Sequence, residues 1–294
     1  MALTASESPG ILYLVGTPIG NLDDMTVRAV KTLQTVDLIA AEDTRHTGKL
    51  LKHWQIETPQ LSYHEHNCQE RIPELIDLLR SGKAIAIVTD AGMPGISDPG
   101  CELVKACVEA AIAVVPIPGV TAVITALTAS GLSTHRFAFE GFLPTDNQER
   151  RSRLEALASE TRTIVFYEAP HRLLETLQDL AEHLGSSRQV AIARELTKLH
   201  EEFWRGNLGG AIAYYSDRHP KGEFTLVVDG ATATQIVWTE AQLLAELKAI
   251  MLSGDGVSRS QASRQLAAVS KLPRRYLYQL ALTVDLEQST TVTN

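Results

Sequence analysis

Cysteine is scarce in this chain of 294 residues, and its three thiols, Cys68, Cys101 and Cys107, show no C-x-x-C spacing. An odd, scattered set excludes a disulfide framework and a zinc knuckle, so reduced thiols are expected. Long apolar runs are missing as well: none reaches the ~18 residues of a membrane span. Met1 to Gly10 lacks the basic and apolar regions of a secretory leader. A soluble, cytoplasmic protein with no membrane partner is therefore expected. There is no excess of positive charge either. A net charge of −8 argues against indiscriminate coating of nucleic acid, which rests on neutralising many phosphates, but leaves room for a local basic surface. Common nucleotide signatures are absent too. Gly16 and Gly20 do not complete G-x-G-x-x-G, and Gly48-Lys49 is followed by Leu50, so neither a dinucleotide fingerprint nor a P-loop is present.

What is there is a regular alternation. Apolar, β-rich runs at Ile11–Val15, Val36–Ala41, Gln60–Tyr63, Ala84–Thr89 and Ile112–Val115 are separated by amphipathic stretches such as Glu70–Arg80 and Cys101–Ala110. That order predicts βαβ units around a mainly parallel sheet. A second series follows at Phe137–Phe142, Thr163–Tyr167, Gln189–Ala193 and Phe224–Val228, with helices over Glu149–Ser159 and His171–Leu184. The fold class is α/β: an N-terminal α/β domain over 1–132, a C-terminal α/β domain over 133–235, a cleft between them, and a helical tail over 236–294. In the tail, Arg259, Arg264, Lys271, Arg274 and Arg275 face a single acid, Asp255, between Met251 and Leu280. Ser258 can cap a helix reaching about Val269, and Lys271–Pro273 turns into another, a helix-turn-helix outline.

Ligands in open α/β sheets sit beyond the carboxyl ends of the strands. There the sequence collects Gly16-Thr17-Pro18-Ile19-Gly20-Asn21, Glu42-Asp43-Thr44-Arg45, "VTDAGMPGISDPG" (88–100) and Pro116-Ile117-Pro118-Gly119. In the second half the ends carry Glu168-Ala169-Pro170-His171-Arg172 and Arg194-Glu195-Leu196-Thr197-Lys198. Gly92 and Gly95 leave room for a ligand, and Pro94 and Pro99 stiffen the wall. Asp90 is expected in the cleft, whereas Asp98, Thr44 and Asn21 are expected to cap helices. His64, His66 and Cys68 would share a face if their strand continued. Asn67 and the helical run after it argue against that, and no metal is expected.

"LYLVGTPIGNLDD", "DLIAAEDTRHTGKLL", "VTDAGMPGISDPG", "VVPIPGVTAVITALTASGL", "FAFEGFLP", "FYEAPHRL" and "ARELTKLHEEF", in this order, resemble the ribosomal RNA small subunit methyltransferase I family, a branch of the tetrapyrrole methylase superfamily. The resemblance implies a two-domain α/β homodimer with S-adenosylmethionine between its halves. It further implies 2′-O-methylation of the ribose of a decoding-centre cytidine, cytidine 1402, in 16S rRNA, either naked or in the assembled 30S subunit. The donor site it implies uses Pro18, Asp90, Ala91, Gly92, Pro94, Gly95, Ile96, Pro118, Gly119, Thr121, Ala122, Leu196, Gly222 and Glu223. The first loop departs from the G-x-G-P-G-D form usual in the tetrapyrrole branch, which weakens a porphyrinoid substrate. Residues placed to contact or deprotonate the ribose are Glu42, Asp43, Arg45, His64, Glu168, His171, Arg194, Glu195 and Lys198; mutual pairing of these charges is the competing explanation. Two other functions fit the pattern: a precorrin-type tetrapyrrole C-methyltransferase, or a non-enzymatic nucleic-acid-binding protein with an α/β ligand sensor.

Overall fold

The structure, a computed structural model, describes residues 10–232, 238–253, 257–270 and 272–285. Residues 1–231 and 232–294 form two compact units.

The first unit starts with five parallel strands, β1 (Ile11–Val15), β2 (Leu38–Ala41), β3 (Gln60–Ser62), β4 (Ile85–Val88) and β5 (Ala113–Ile117), in the spatial order β3-β2-β4-β1-β5. Helices α1 (Val27–Thr35), α2 (Thr44–His53), α3 (Cys68–Arg80) and α4 (Cys101–Glu109) connect them. Both sheet faces are covered, which is why these strands read as unbroken apolar runs. Val15, Ala86 and Val88 pack with Leu33 and Leu50 on one side. On the other side Leu12, Ile85 and Ile87 pack with Leu75, Leu79 and Leu103. Val15 pairs with Ile117, and Ala41 with Val88. The strands therefore end at a common height, and their loops share one rim. The strand order reverses direction around β1 and β4, and it is their two loops that meet.

The second sheet holds β6 (Phe137–Phe142), β7 (Thr163–Glu168), β8 (Gln189–Arg194), β9 (Glu202–Asn207) and β10 (Phe224–Val228), in the order β6-β7-β10-β8-β9. It is mixed: β6 and β7 are parallel, β10 runs antiparallel to β7 and β8, and β8 and β9 are antiparallel. Its register sets Phe224 opposite both Glu168 and Arg194, and Arg194 opposite Glu202. Charged strand ends are thereby lined up along one edge. Helices α6 (Asn147–Leu157), α7 (Leu173–Leu184) and α8 (Leu208–Tyr215) cover one face through Leu154, Leu177, Leu180 and Leu208. The other face is covered by α5 (Ala122–Ser130), whose Val123, Ala126 and Leu127 pack on Val165, Ala191 and Val227. This helix follows the last strand of the first sheet yet completes the core of the second. Strand β9 and helix α8 are not anticipated by the sequence pattern. "EFWRGN" is a half-exposed edge strand whose Glu202, Arg205 and Gly206 dilute the apolar alternation.

The second unit is a three-helix group, α9 (Glu240–Leu252), α10 (Arg259–Ser270) and α11 (Arg274–Thr283). Leu243, Leu247, Leu266, Leu277 and Leu280 give it a core of its own. Ser258 and Gln261 cap α10 reciprocally, as expected: the Ser258 amide donates to Gln261 Oε1, and the Gln261 amide to Ser258 Oγ. Arg259 is not free for a ligand, because its guanidinium is folded back onto the carbonyls of Ala281 and Val284. Arg264 and Arg275 are exposed. Asp255 and Lys271 lie outside the described residues.

Candidate active site

The loops after β1 and β4 are tied together by main-chain bonds. The Thr17 amide donates to the Gly92 carbonyl at 2.9 Å, the Gly92 amide returns a bond to the Thr17 carbonyl at 3.1 Å, and Thr17 Oγ1 donates to the Thr89 carbonyl. Gly16 is pressed against the loop after β5: a Cβ on it would lie 2.8 Å from Gly119 Cα and 2.6 Å from Met93 Sδ. Only glycine permits this approach. Gly92 itself takes φ +84°, and Gly100 takes φ +143° at the start of α4, backbone that side chains resist.

Above this seam lies a cavity of about 260 Å³. Its first-sheet wall comes from Ile19, Ala91, Gly92, Ile96 and Asp98, and the α5 end adds Thr121 and Ala122. The second sheet contributes Phe142, Tyr167, Leu196, Glu223 and Phe224. The cavity is mostly apolar but carries concentrated negative charge. Burial, reinforced by Glu42, Asp90 and Glu223, pushes the Asp98 carboxyl up to about 7. Asp98 was expected to cap α4. Gly100 instead occupies the cap position and no side chain bonds there, which leaves Asp98 in the cleft.

A second cavity, about 550 Å³, shares Ile19, Ala91 and Glu223 with the first. Its remaining wall carries Pro18, Asp90 and Lys198, together with His46, Thr47 and Lys49 of α2. Sequence reading missed those three. The available signal was an inconsistency: the first two turns of α2 hold Arg45, His46 and Lys49 and no acid, although a helix N-terminus disfavours cations. Local rules tend to be broken where function requires it.

The second-sheet side of this cavity is a three-residue clasp. Lys198 Nζ bonds Glu195 Oε1 at 2.8 Å and Glu223 Oε2 at 2.9 Å, and the Glu223 amide donates to Glu195 Oε1. Burial opposes charge on both Glu195 and Lys198. Their mutual bonds overcome it, lowering the Glu195 carboxyl and raising the Lys198 ammonium. Glu195 and Thr197 sit at φ +52° and +66°, strain of about 1–3 kcal/mol each. Thr197 Oγ1 accepts the Asn21 amide at 3.0 Å, so this strained loop also ties the second sheet to the β1 loop. Asn21 is a cap as expected, accepting from the Asp23 amide.

The other expected residues divide between lining and support. Pro94, Gly95, Pro118 and Gly119 do not line either cavity; they shape the loops that do. Gly222 (φ +94°) packs on Glu195, where any Cβ would collide. Glu42 accepts the Asp90 amide, and Asp90 Oδ1 accepts the Asp43 amide. Asp43, not Thr44, caps α2, and its pairing with Arg45 holds its carboxyl far below the usual range. Arg194 pairs with Glu202 at 3.1 Å and donates to the Lys221 carbonyl. His64 and His66 make a ring contact, and Cys68 Sγ donates to the Glu65 carbonyl. Among the described residues no group of His, Cys, Asp and Glu could hold a metal. His171 lines a separate cavity beyond Pro170.

Glu168 is buried and already satisfied. Its Oε2 accepts from Thr176 Oγ1 at 2.5 Å and its Oε1 from the Ala169 amide, while Thr176 Oγ1 accepts from buried Arg150, itself paired with Asp179 at 2.5 Å. The chain Asp179–Arg150–Thr176–Glu168 thus fixes the loop that carries Ala169 and Pro170 into the cleft wall. Arg150→Ala leaves Asp179 and Thr176 Oγ1 without their shared partner, while Arg172 stays 3.8 Å from Glu168, and is expected to destabilise the fold by about 1–3 kcal/mol, read by urea denaturation.

The chain matches the family of Tetrapyrrole (Corrin/Porphyrin) Methylases over residues 11–212. It is 62% identical to the ribosomal RNA small subunit methyltransferase I of Synechocystis sp., covering 95% of this chain and 99% of that one. It is 46% identical to the protein of the same name from Bacillus subtilis, covering 95% and 96%. Among solved structures, uroporphyrin-III C-methyl transferase from Thermus thermophilus complexed with S-adenyl homocysteine aligns with TM-score 0.54 at 19% identity, covering 74% of this chain and 97% of that one. That likeness is one of fold. Taken with the loops that build the cleft, these matches establish that the chain belongs to the tetrapyrrole methylase family and, within it, to the ribosomal RNA small subunit methyltransferase I family.

Proposed function

We propose that the protein methylates the 2′-oxygen of a cytidine ribose in the decoding centre of 16S rRNA, cytidine 1402, with S-adenosylmethionine as donor. The observation that carries this reading is the pair of cavities that share Ile19, Ala91 and Glu223, one apolar and acidic, the other edged by His46 and Lys49 of α2. The first fits the donor: its apolar walls suit an adenosine, and the unpaired Asp98 carboxyl suits a cationic sulfonium once ionised. Bound there, the donor supplies a methyl group on positively charged sulfur. The second fits the acceptor, since Lys49 and the His46 imidazole offer donors to an anionic strand, while Lys198, held by Glu195 and Glu223, fixes the wall. Ile19, Ala91 and Glu223, common to both, mark where acceptor oxygen and methyl carbon meet.

The chain's contribution is chiefly alignment. Well-oriented reactants gain about 7–11 kcal/mol, whereas a general base adds about 10²–10⁴ in rate. The tied β1 and β4 loops and the Lys198 clasp hold the two chambers in register. Asp90 and Glu223 are the carboxylates placed to take the hydroxyl proton as the carbon–oxygen bond forms. Glu168, engaged on both oxygens, holds the wall.

The exposed arginines of the helical unit, with Tyr276 and Tyr278 at 40% and 41% exposure, suit single-stranded RNA, which is commonly gripped by cations and aromatics together. Arg264→Ala with Arg275→Ala is expected to weaken RNA binding about fivefold and to flatten its salt dependence, with donor affinity unchanged. A salt slope equal to the parent's removes the assignment. A homodimer in the cytoplasm completes the reading; no helix of the described residues is long and apolar enough to cross a membrane.

The decisive experiment is transfer of labelled methyl to immature 30S subunits and to naked 16S rRNA, followed by mapping of the modified nucleotide. Label on a base, or on a porphyrinoid and on neither RNA, overturns the proposal.

A further inference from the structure

Beyond Pro170 lies a third cavity, about 410 Å³, that the donor and acceptor chambers do not use. It is enclosed by the start of α7 and by the loop joining α8 to β10. Its polar lining is His171, Tyr215, Ser216, Arg218 and His219, with no carboxylate. That is the opposite of the acidic donor chamber, with which it shares Pro170.

The basic side chains around it are unpaired. His171, Arg218 and His219 form no ion pair with any described residue. Arg218 lies with its guanidinium carbon 3.9 Å from the centre of the Tyr214 ring, stacking that orients the fork without occupying its N–H donors. Asp217, exposed beside Arg218 in the same loop, is not among the lining residues and makes no ion pair with a described residue, and Glu202 is already engaged by Tyr214 Oη at 2.9 Å and by Arg194 at 3.1 Å. On the wall, Tyr215 is 3% exposed and its hydroxyl has no partner. A buried hydroxyl left unpaired is uncommon enough to require a reason.

We propose that this cavity is a subsite for one phosphodiester of the acceptor RNA, next to the nucleotide that enters the cleft. The inference rests on the RNA reading above and adds the residues that grip the strand. A chain with net charge −8 and an acidic donor chamber repels a polyanion. A cationic foothold beside the cleft is what allows the strand to approach it. Arg218 supplies a flat fork suited to two phosphate oxygens, and His171, His219 and Ser216 supply further donors.

The test uses the full-length enzyme with Arg218→Ala, His219→Ala, the double variant and Arg218→Lys. In the double variant the KM for rRNA is expected to rise about tenfold, with kcat at saturating RNA and the KM for S-adenosylmethionine within about twofold of the parent. The slope of log affinity against log salt, read by RNA binding without turnover, is expected to become shallower by about 0.7–0.9 for each phosphate no longer neutralised. Arg218→Lys is expected to keep that slope while giving up part of the affinity. An unchanged rRNA KM and salt slope in the double variant overturn the subsite. So does a rise in both KM values together, which marks a role in folding; the single variants, at exposed positions, guard against that outcome. A parent enzyme that transfers methyl to neither rRNA substrate fails the proposed function instead, and the binding slope still decides the subsite.

Discussion

Gly16→Ala is expected to raise the dissociation constant for S-adenosylmethionine about 100-fold and to remove turnover at working donor concentrations. The new methyl would lie 2.8 Å from Gly119 Cα and 2.9 Å from its nitrogen, so it meets main chain that no rotamer change can clear. Overpacking a tight site costs about 1–3 kcal/mol, and with backbone on both sides the upper end applies; about 3 kcal/mol corresponds to two decades of affinity. The effect is directional. The methyl drives the β1 and β5 loops apart at the floor of the donor chamber, so binding falls further than stability. Gly119→Ala, which meets Gly16 Cα at the same 2.8 Å, should reproduce it. Gly48→Ala is the contrast: in α2 the nearest atom would be Gln60 Nε2 at 3.7 Å, and replacing a helical glycine stabilises by about 1 kcal/mol. Titration calorimetry with the donor, beside melting curves, separates the two cases. Unaltered donor affinity in Gly16→Ala would remove the seam from the binding site.

The second large effect concerns pH. Asp98 titrates at about 7 because burial and the neighbouring Glu42, Asp90 and Glu223 disfavour its anion. An ordinary aspartate titrates at 3.8, so between about pH 4 and 7 the folded chain holds a proton that the unfolded chain has released. Stability from this group therefore falls as pH rises through that window. Affinity for a cationic donor moves the other way, because the carboxylate appears as pH passes 7. Asp98→Asn is expected to melt higher than the parent at pH 8, to bind donor about tenfold more weakly there, and to lose the rise in affinity between pH 6 and 8. If the parent's donor affinity is flat over that range, Asp98 does not face the sulfonium.

The parallel sheet was legible because strands buried on both faces leave apolar runs such as "ILYLV" and "IAIV". The mixed half was less so: β9 is an edge strand with charge at Glu202 and Arg205, and its pairing with β8 is decided by tertiary packing, not by its own pattern. At the site, the glycines and prolines of "VTDAGMPGISDPG" marked the cleft because few other structures need them together. Asp98 departs from its expected role for a physical reason. An acid just before a helix usually caps it, but Pro99 and Gly100 intervene, and Gly100 takes a conformation that turns the chain without using the carboxylate. Glu168 stood at the right strand end, and only the folded arrangement reveals that both its oxygens are engaged. His46 and Lys49 were visible as basic residues at a helix start, a sign that carries no location until the loops around it are placed.

Helix α5 has one more implication. The domain boundary expected at residue 132 falls after it, yet its Val123, Ala126 and Leu127 belong to the core of the second sheet. Cut there, the amino-terminal fragment would carry an apolar helix with nothing to cover, and the carboxy-terminal fragment would bare Val165, Ala191 and Val227 to water. The two halves are therefore not interchangeable modules. A swap between relatives that respects the molecule must exchange them at the short Pro118–Thr121 crossing, where the chain leaves one sheet for the other.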